Sequence, residues 1–257
     1  MAIKFGPAGL GAVKTAEETL EHYNKLGLKA CEIAFTYSIY IKSEKDAERI
    51  GKKARELDII LSIHAPYWIN LNSTDRKKTE ESKKRILDCC KIGHYLGVET
   101  VVFHPGYYGK MSKEETYNKI KLAIDEMLKE IKKNKWNIKI APETTGKINV
   151  FGSLEEISKL ARETGCSFCI DFAHIKAREK EVDYKRVEKL FPEKEWHVHF
   201  SGIEYGEKGE RNHRETKKEE WAELLNNLPK NKEILIINEA PNPIKDSFEG
   251  LNLYKKL

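Results

Sequence analysis

Glutamine is absent from this 257-residue chain, and arginine supplies only 9 of its 46 basic residues, the other 37 being lysine. High Lys and Glu with few thermolabile amides is the bias of heat-adapted proteins, which bears on the host and not on chemistry. Glycine (16) and proline (8) are too sparse for a collagenous or low-complexity chain, and 40% hydrophobic residues with a net charge of +5 exclude a disordered one. No apolar run approaches the roughly 18–20 residues of a membrane helix. The opening Met1-Ala-Ile-Lys-Phe-Gly6 lacks the basic-then-apolar pattern of an export signal. The expectation is a soluble cytoplasmic protein with no membrane partner. The five cysteines, an odd number, do not suit a disulfide framework. Cys166-x-x-Cys169 has the spacing of half a zinc site, but no second pair follows, and its apolar run reads as buried thiols.

Short β-type runs alternate with longer amphipathic ones along the whole chain. The strand candidates are Ile3–Phe5, Ala30–Phe35, Ile59–His64, Thr100–His104, Lys139–Glu143, Ser167–Asp171, Trp196–Ser201 and Glu233–Glu239. Helical patterns fall at Thr15–Leu26, Ser43–Leu57, Asp75–Leu96, Ser112–Asn134, Ser153–Thr164, Asp183–Phe191 and Glu219–Asn227, with a last one at Phe248–Leu257. Thr15-x-x-Glu18, Ser112-x-x-Glu115 and Ser153-x-x-Glu156 read as helix starts, and Gly27, Gly97 and Gly165 as stops. Strand–helix repetition of this kind in about 250 residues predicts a single α/β domain, a (β/α)8 TIM barrel over residues 1–257. The rival, a doubly wound sheet, usually carries a glycine-rich phosphate loop; Gly6-Pro-Ala-Gly9-Leu-Gly11 comes nearest and does not fit.

Six of these runs finish in or carry an ionisable residue near their C-terminal end: His64, His104, Glu143, Asp171, His199 and Glu239. A barrel gathers those ends at one mouth. Carboxylates crowded there repel and lose solvation, which cations relieve, and imidazole with carboxylate is the donor set for zinc, manganese or iron. His174, just past Asp171, and His213, in a charged stretch read as a loop, join the set. His22 and His94 fall in amphipathic helices. His197 shares the face of His199 but lies deeper, as a layer or supporting residue.

The segments His64-Ala-Pro-Tyr67-Trp68-Ile-Asn70-Leu71, Phe103-His-Pro-Gly106, Glu143-Thr-Thr-Gly146, Cys169-Ile-Asp-Phe-Ala-His174 and Glu239-x-Pro resemble endonuclease IV, a family of zinc-dependent abasic-site nucleases among the xylose-isomerase-like TIM barrels. The resemblance implies a phosphodiesterase of base excision repair that cleaves double-stranded DNA 5′ to abasic sites with a metal-activated hydroxide, working as a monomer. It implies zinc, two to three ions, with manganese as an alternative. One ion would take His64, His104 and Glu143; a second would take Glu143, Asp171, His199 and Glu239, with Glu143 and Glu239 as catalytic carboxylates. The third would take His174, His213 and an Asp two residues before that His. Arg211 stands there instead, which predicts a weak third site completed by water, Glu210 or Glu215, or an Arg211 that neutralises phosphate. Tyr67, Trp68, Asn70 and Tyr107 become substrate contacts, the aromatics by stacking on an opened base step. Two further departures are Phe5-Gly6-Pro7 at the first strand and Tyr37-Ser-Ile-Tyr40 after Thr36. The alternative is a sugar isomerase or epimerase using Glu143, Asp171, His199 and Glu239 around one ion, one carboxylate removing a proton beside a carbonyl and another returning it.

Overall fold

The computed structural model describes residues 2–257. The chain runs β1 (Ala2–Pro7), a 3-10 turn (Val13–Thr15), α1 (Ala16–Lys25), β2 (Ala30–Ala34), α2 (Glu44–Glu56), β3 (Ile60–His64) and α3 (Arg76–Leu96). It continues through β4 (Thr100–Phe103), α4 (Lys113–Lys133), β5 (Lys139–Pro142), α5 (Leu154–Thr164), β6 (Cys169–Asp171), α6 (Phe172–Glu179) and α7 (Tyr184–Leu190). Last come β7 (Glu195–Phe200), β8 (Gly202–Gly206), β9 (Gly209–Arg214), α8 (Lys218–Asn227), β10 (Glu233–Asn238) and α9 (Pro243–Tyr254).

Two parallel four-stranded arcs, β2-β3-β4-β5 and β6-β7-β10-β1, close on each other. The seams are the parallel bridges Ala8–Glu32 and Glu143–Cys169. At the first seam the backbones come so close that a side chain on Gly6 would place its Cβ 1.8 Å from the carbonyl oxygen of Ala30. The result is the expected (β/α)8 barrel. Among the described residues no helix is long and apolar enough to cross a membrane.

The helices begin and end where local chemistry directs. Ser112 with Glu115 and Ser153 with Glu156 form reciprocal caps at α4 and α5. Gly97 and Gly165 close α3 and α5 with φ of 70° and 74°, a left-handed turn that costs glycine least. Thr15 does not cap α1; its hydroxyl is turned back to the Ala12 carbonyl. The stretch around His213 is no loop but the antiparallel β8–β9 hairpin. A further helix, α6, starts at Phe172 with no intervening loop, because Asp171 accepts from the His174 N–H at 2.6 Å and caps it directly. The last helix begins at Pro243, earlier than the apolar pattern indicates.

The main hydrophobic core lies between strands and helices, built from residues such as Phe5, Leu20, Ile33, Ile63, Phe103, Phe151, Trp196 and Trp221. Val102, Ala141 and Cys169 form a separate small cluster. Around them Glu32, Ser62, His197 and His199 are all buried, so much of the barrel lumen is polar.

Candidate metal centre

Strand ends in a barrel are held by the ladder on both sides, so side chains there converge with little freedom. Registers Ala34–His64, Asp171–His199 and Ile237–His199 set the depth at which they meet. Glu143, fully buried, stands in the middle and divides its two oxygens. Oε2 lies 3.1 Å from His64 Nε2 and 2.8 Å from His104 Nε2. Oε1 lies 3.3 Å from both His199 Nδ1 and His174 Nδ1. Glu239 Oε1 is 3.5 Å from His199 Nδ1, and Asp171 Oδ2 is 3.3 Å from His174 Nδ1.

Five overlapping donor sets result among the described residues, the atoms of each lying within 4.8 Å of one another: His64, His104 and Glu143; Glu143, Asp171, His199 and Glu239; His174, Glu210 and His213; and two that reuse His199, with His64 and Glu239 or with Cys169 and His197. The first three concern the mouth. The first two are the groupings the sequence anticipates. The third contains Glu210 where an Asp at position 211 would be expected. A bulge between Glu204 and Tyr205 on the facing strand register explains it: Asn212 opposes Glu204, Glu210 opposes Tyr205, and Arg211 is the extra residue. One extra residue reverses the alternation of side chains, so Glu210 and His213 share a face. Glu210 Oε2 is 3.5 Å from His174 Nε2. Arg211 is exposed, its guanidinium against Gly206, and it lines no part of the mouth. It is therefore neither beside the third set nor placed to neutralise a substrate there. Glu215 is also outside the set, 3.7 Å from Lys245 on the surface.

Electrostatics show what the cluster lacks. Burial would raise the Glu143 carboxyl, but His104 and His199 hold it well below the usual carboxylate range. Burial would depress the His64 imidazolium, yet its bond to Glu143 lifts it to about 9. Burial lifts Asp171 to about 6, against the pull of His174. Burial would depress His174 and His199 too, but Asp171 and Glu143 drive His174, and Cys169 followed by Glu32, Glu239 and Glu143 drive His199, well above the ordinary histidine value. The imidazoles of His64, His174 and His199 hold their protons because the carboxylates beside them have no lysine or arginine. The Asp171 Oδ2 atom, buried and without a hydrogen bond, is a further donor left unanswered. Divalent cations fit this arrangement on both counts: they neutralise the carboxylates and take the free donors.

The histidines are also oriented for it. His64 Nδ1 bonds the Ala65 carbonyl at 2.8 Å, His174 Nδ1 the Thr144 carbonyl at 3.0 Å, and His213 Nδ1 the Ser201 hydroxyl at 2.7 Å. Each contact occupies one ring nitrogen, leaving Nε2 of His64 toward Glu143 and Nε2 of His174 toward Glu210, an arrangement typical of metal-bound imidazole. Two buried residues that sequence reasoning passed over or left open lie beneath. Glu32 is held well below the ordinary range: burial opposes ionisation, but His199 and His197 outweigh it. His197 is lowered by burial against the pull of Glu32, as a supporting residue.

Above the donors is a cavity of about 340 Å³ lined by His64, His104, His174, Glu210, His213 and Glu239 with Tyr67, Tyr107 and Lys147. Tyr67 and Tyr107 are half exposed at its rim, whereas Trp68, 63% exposed, is not part of the lining. Asn70 has a structural part through its side-chain carbonyl oxygen. Its Oδ1 accepts from the backbone N–H groups of Asn72 and Tyr107, tying the loop after β3 to the loop after β4. A Cβ on Gly106 would lie 2.4 Å from that oxygen, so the latch requires glycine there. Lys147 is a cation at the mouth that the sequence, rich in lysine everywhere, gave no reason to single out.

A family model described as xylose isomerase-like TIM barrel matches residues 20–257, and the chain belongs to that family. An uncharacterized protein of Methanocaldococcus jannaschii is 41% identical over 224 residues, covering 81% of this chain and 80% of its own. An apurinic-apyrimidinic endonuclease of Caenorhabditis elegans is 32% identical over 161 residues, 59% of this chain but only 39% of that protein. Endonuclease IV from Thermus thermophilus superposes with a TM-score of 0.71 at 19% identity, over 100% of this chain and 98% of that one. D-psicose 3-epimerase from Clostridium cellulolyticum does so with 0.69 at 13%, over 100% and 99%. At such identities these two likenesses are of fold alone.

Proposed function

We propose that this protein is a metal-dependent phosphodiesterase that cleaves duplex DNA 5′ to abasic sites. The observation that carries the reading is the division of Glu143, one oxygen toward His64 and His104, the other toward His199 and His174. A carboxylate so placed would serve two ions, one on each oxygen. Zinc suits the imidazole–carboxylate sets, manganese being the alternative. Bound ions at such a site supply an activated water and charge neutralisation at the phosphodiester. The chain's own part is to hold and shield. Glu143, Asp171, His199 and Glu239 form the buried set; His64 and His104 the half on the β3–β4 side; His174, Glu210 and His213 the outer one. Lys147 lends positive charge to an incoming phosphate, and Tyr67 and Tyr107 at the rim offer ring faces to an unstacked sugar–base step. The endonuclease relative supports the reading, as do the motifs shared with endonuclease IV.

The second reading is a sugar epimerase, supported by the fact that Glu143, Asp171, His199 and Glu239 suffice for one ion and by the likeness to D-psicose 3-epimerase. It leaves His64, His104 and the outer set without a task. Zinc-loaded protein incubated with an abasic duplex, and separately with a ketohexose, separates the two. Strand scission 5′ to the abasic site with no epimer is expected; an epimerised sugar and intact DNA would overturn the proposal.

A further inference from the structure

His199 is the odd member of the cluster. His64, His174 and His213 each bond a carbonyl or a hydroxyl through Nδ1, the His174 Nδ1 lying also 3.3 Å from Glu143 Oε1 and Asp171 Oδ2, whereas His199 presents Nδ1 to carboxylates alone, 3.3 Å from Glu143 Oε1 and 3.5 Å from Glu239 Oε1. Its Nε2 points down the lumen to Glu32 Oε1, 3.0 Å away. Both atoms are buried, and at 3.0 Å they face each other without the alignment of a hydrogen bond, to each other or to any other group. Glu32 comes from β2, three strands around the barrel from β7, so its side chain reaches across the lumen. Its other oxygen is held on two sides, by the Ser62 hydroxyl at 2.8 Å and by His197 Nε2 at 3.2 Å. A fully buried carboxylate with three such neighbours and no lysine or arginine pairs with imidazole or not at all.

Building on the metal reading above, we propose that Glu32 is a positioning residue that locks His199 with its Nε2 proton facing the lumen and its Nδ1 lone pair facing Glu143, Asp171 and Glu239, and so sets the affinity of that donor set for its ion. An imidazole offers one lone pair when neutral, and which nitrogen carries it is decided by the partner of the other. Without Glu32 the ring can carry its proton on Nδ1, where it blocks the ligand position. His197 and Ser62 act one step further back, by holding Glu32 on the line to His199. The competing group beside the His199 ring is the buried thiol of Cys169, which shares with His197 and His199 a set of ligand atoms within 4.8 Å of one another. A neutral thiol is a weak acceptor beside an ionised carboxylate.

The test is a zinc titration of metal-stripped unsubstituted protein, Glu32→Gln and Cys169→Ser in competition with a chromophoric chelator, alongside 15N imidazole spectra of the zinc-loaded unsubstituted protein. Glu32→Gln should weaken zinc at one set by about 10–100-fold, the usual effect of losing such a partner. Cys169→Ser should change it little, and the spectra should show His199 bound through Nδ1 with a protonated Nε2. Equal zinc affinity of Glu32→Gln and the unsubstituted protein would overturn the inference while leaving the metal reading intact. A larger loss in Cys169→Ser than in Glu32→Gln would do the same. The spectra need no variant to fold: a His199 bound through Nε2 overturns the inference by itself. Failure of the unsubstituted protein to take up zinc would instead remove the metal reading, and this inference with it.

Discussion

At the N-terminal rim of the barrel, Lys139 pairs with Glu195 at 3.1 Å and Lys194 with Glu233 at 2.7 Å, every partner more than half exposed. At the opposite mouth Glu143, Asp171 and His199 are fully buried, and each carboxylate faces imidazole with no lysine or arginine paired to it. The residue types overlap but the physics differs. Water screens the rim pairs, and such pairs contribute about 0–1 kcal/mol. At the mouth the charges have lost their solvation and are balanced only by protons that the histidines can release. One end is solvated decoration on a ladder; the other is a set of unmet coordination demands, and a single change should be felt very differently at each.

The largest effect is expected from Glu143→Ala, which removes the carboxylate shared by two donor sets. Bound zinc should fall by more than one ion per chain by elemental analysis, and abasic-duplex cleavage should drop by at least about 10³-fold. Retained cleavage would show that the mouth does not work as a shared centre.

Next comes the dependence on pH, which should run in opposite directions with and without ions. In the metal-free chain His64 is raised from 6.5 to about 9, so its contribution to stability is full below about pH 6.5 and lost as pH rises through 9. Asp171 is also raised, from 3.8 to about 6, so the fold favours its protonated form and that contribution fades between those values. Metal-stripped protein should therefore melt lower as pH rises from 6 to 9, whereas zinc-loaded protein, whose ligands must shed protons to bind, should gain on stripped protein over the same range. Parallel melting curves in the two forms would contradict this.

A smaller effect tests the hairpin. Glu210→Ala should lower occupancy of the outer set, with affinity there down by about 10–100-fold. Arg211→Asp should leave zinc content unchanged, because position 211 faces away from the set; a rise toward three ions would mean that the bulge is absent in solution. The smallest effect belongs to the rim. Lys194→Ala should leave the midpoint of a denaturant titration almost unmoved and zinc binding untouched.

The sequence made the barrel legible because strand and helix periods alternate cleanly, and the inner ligands legible because strand ends carry His, Asp and Glu in succession. What it hid has physical causes. Helix α6 starts without a glycine, proline or polar spacer, since Asp171 serves both as strand end and as cap. The β8–β9 hairpin is too charged to read as strand. Glu32 lies inside an apolar strand, where a lone acid gives no hint that two histidines from β7 meet it across the lumen. Asn70, read from its motif as a substrate contact, also holds two loops together through Oδ1, a role its motif alone does not reveal.

The bulge at Arg211 acts on a β-strand much as a frameshift acts on a message. Inserting one residue leaves the fold, the turn and the terminal histidine in place, yet reassigns inside and outside for every residue on one side of it. A ligand pair spaced for ordinary alternation is thereby rewritten as Glu210-x-x-His213. Read letter by letter, the chain has lost an acid to an arginine; read by the side on which each residue falls, it has kept one. A search for the outer donors of this chain by a fixed Asp-x-His motif would score Glu210 and His213 as a loss.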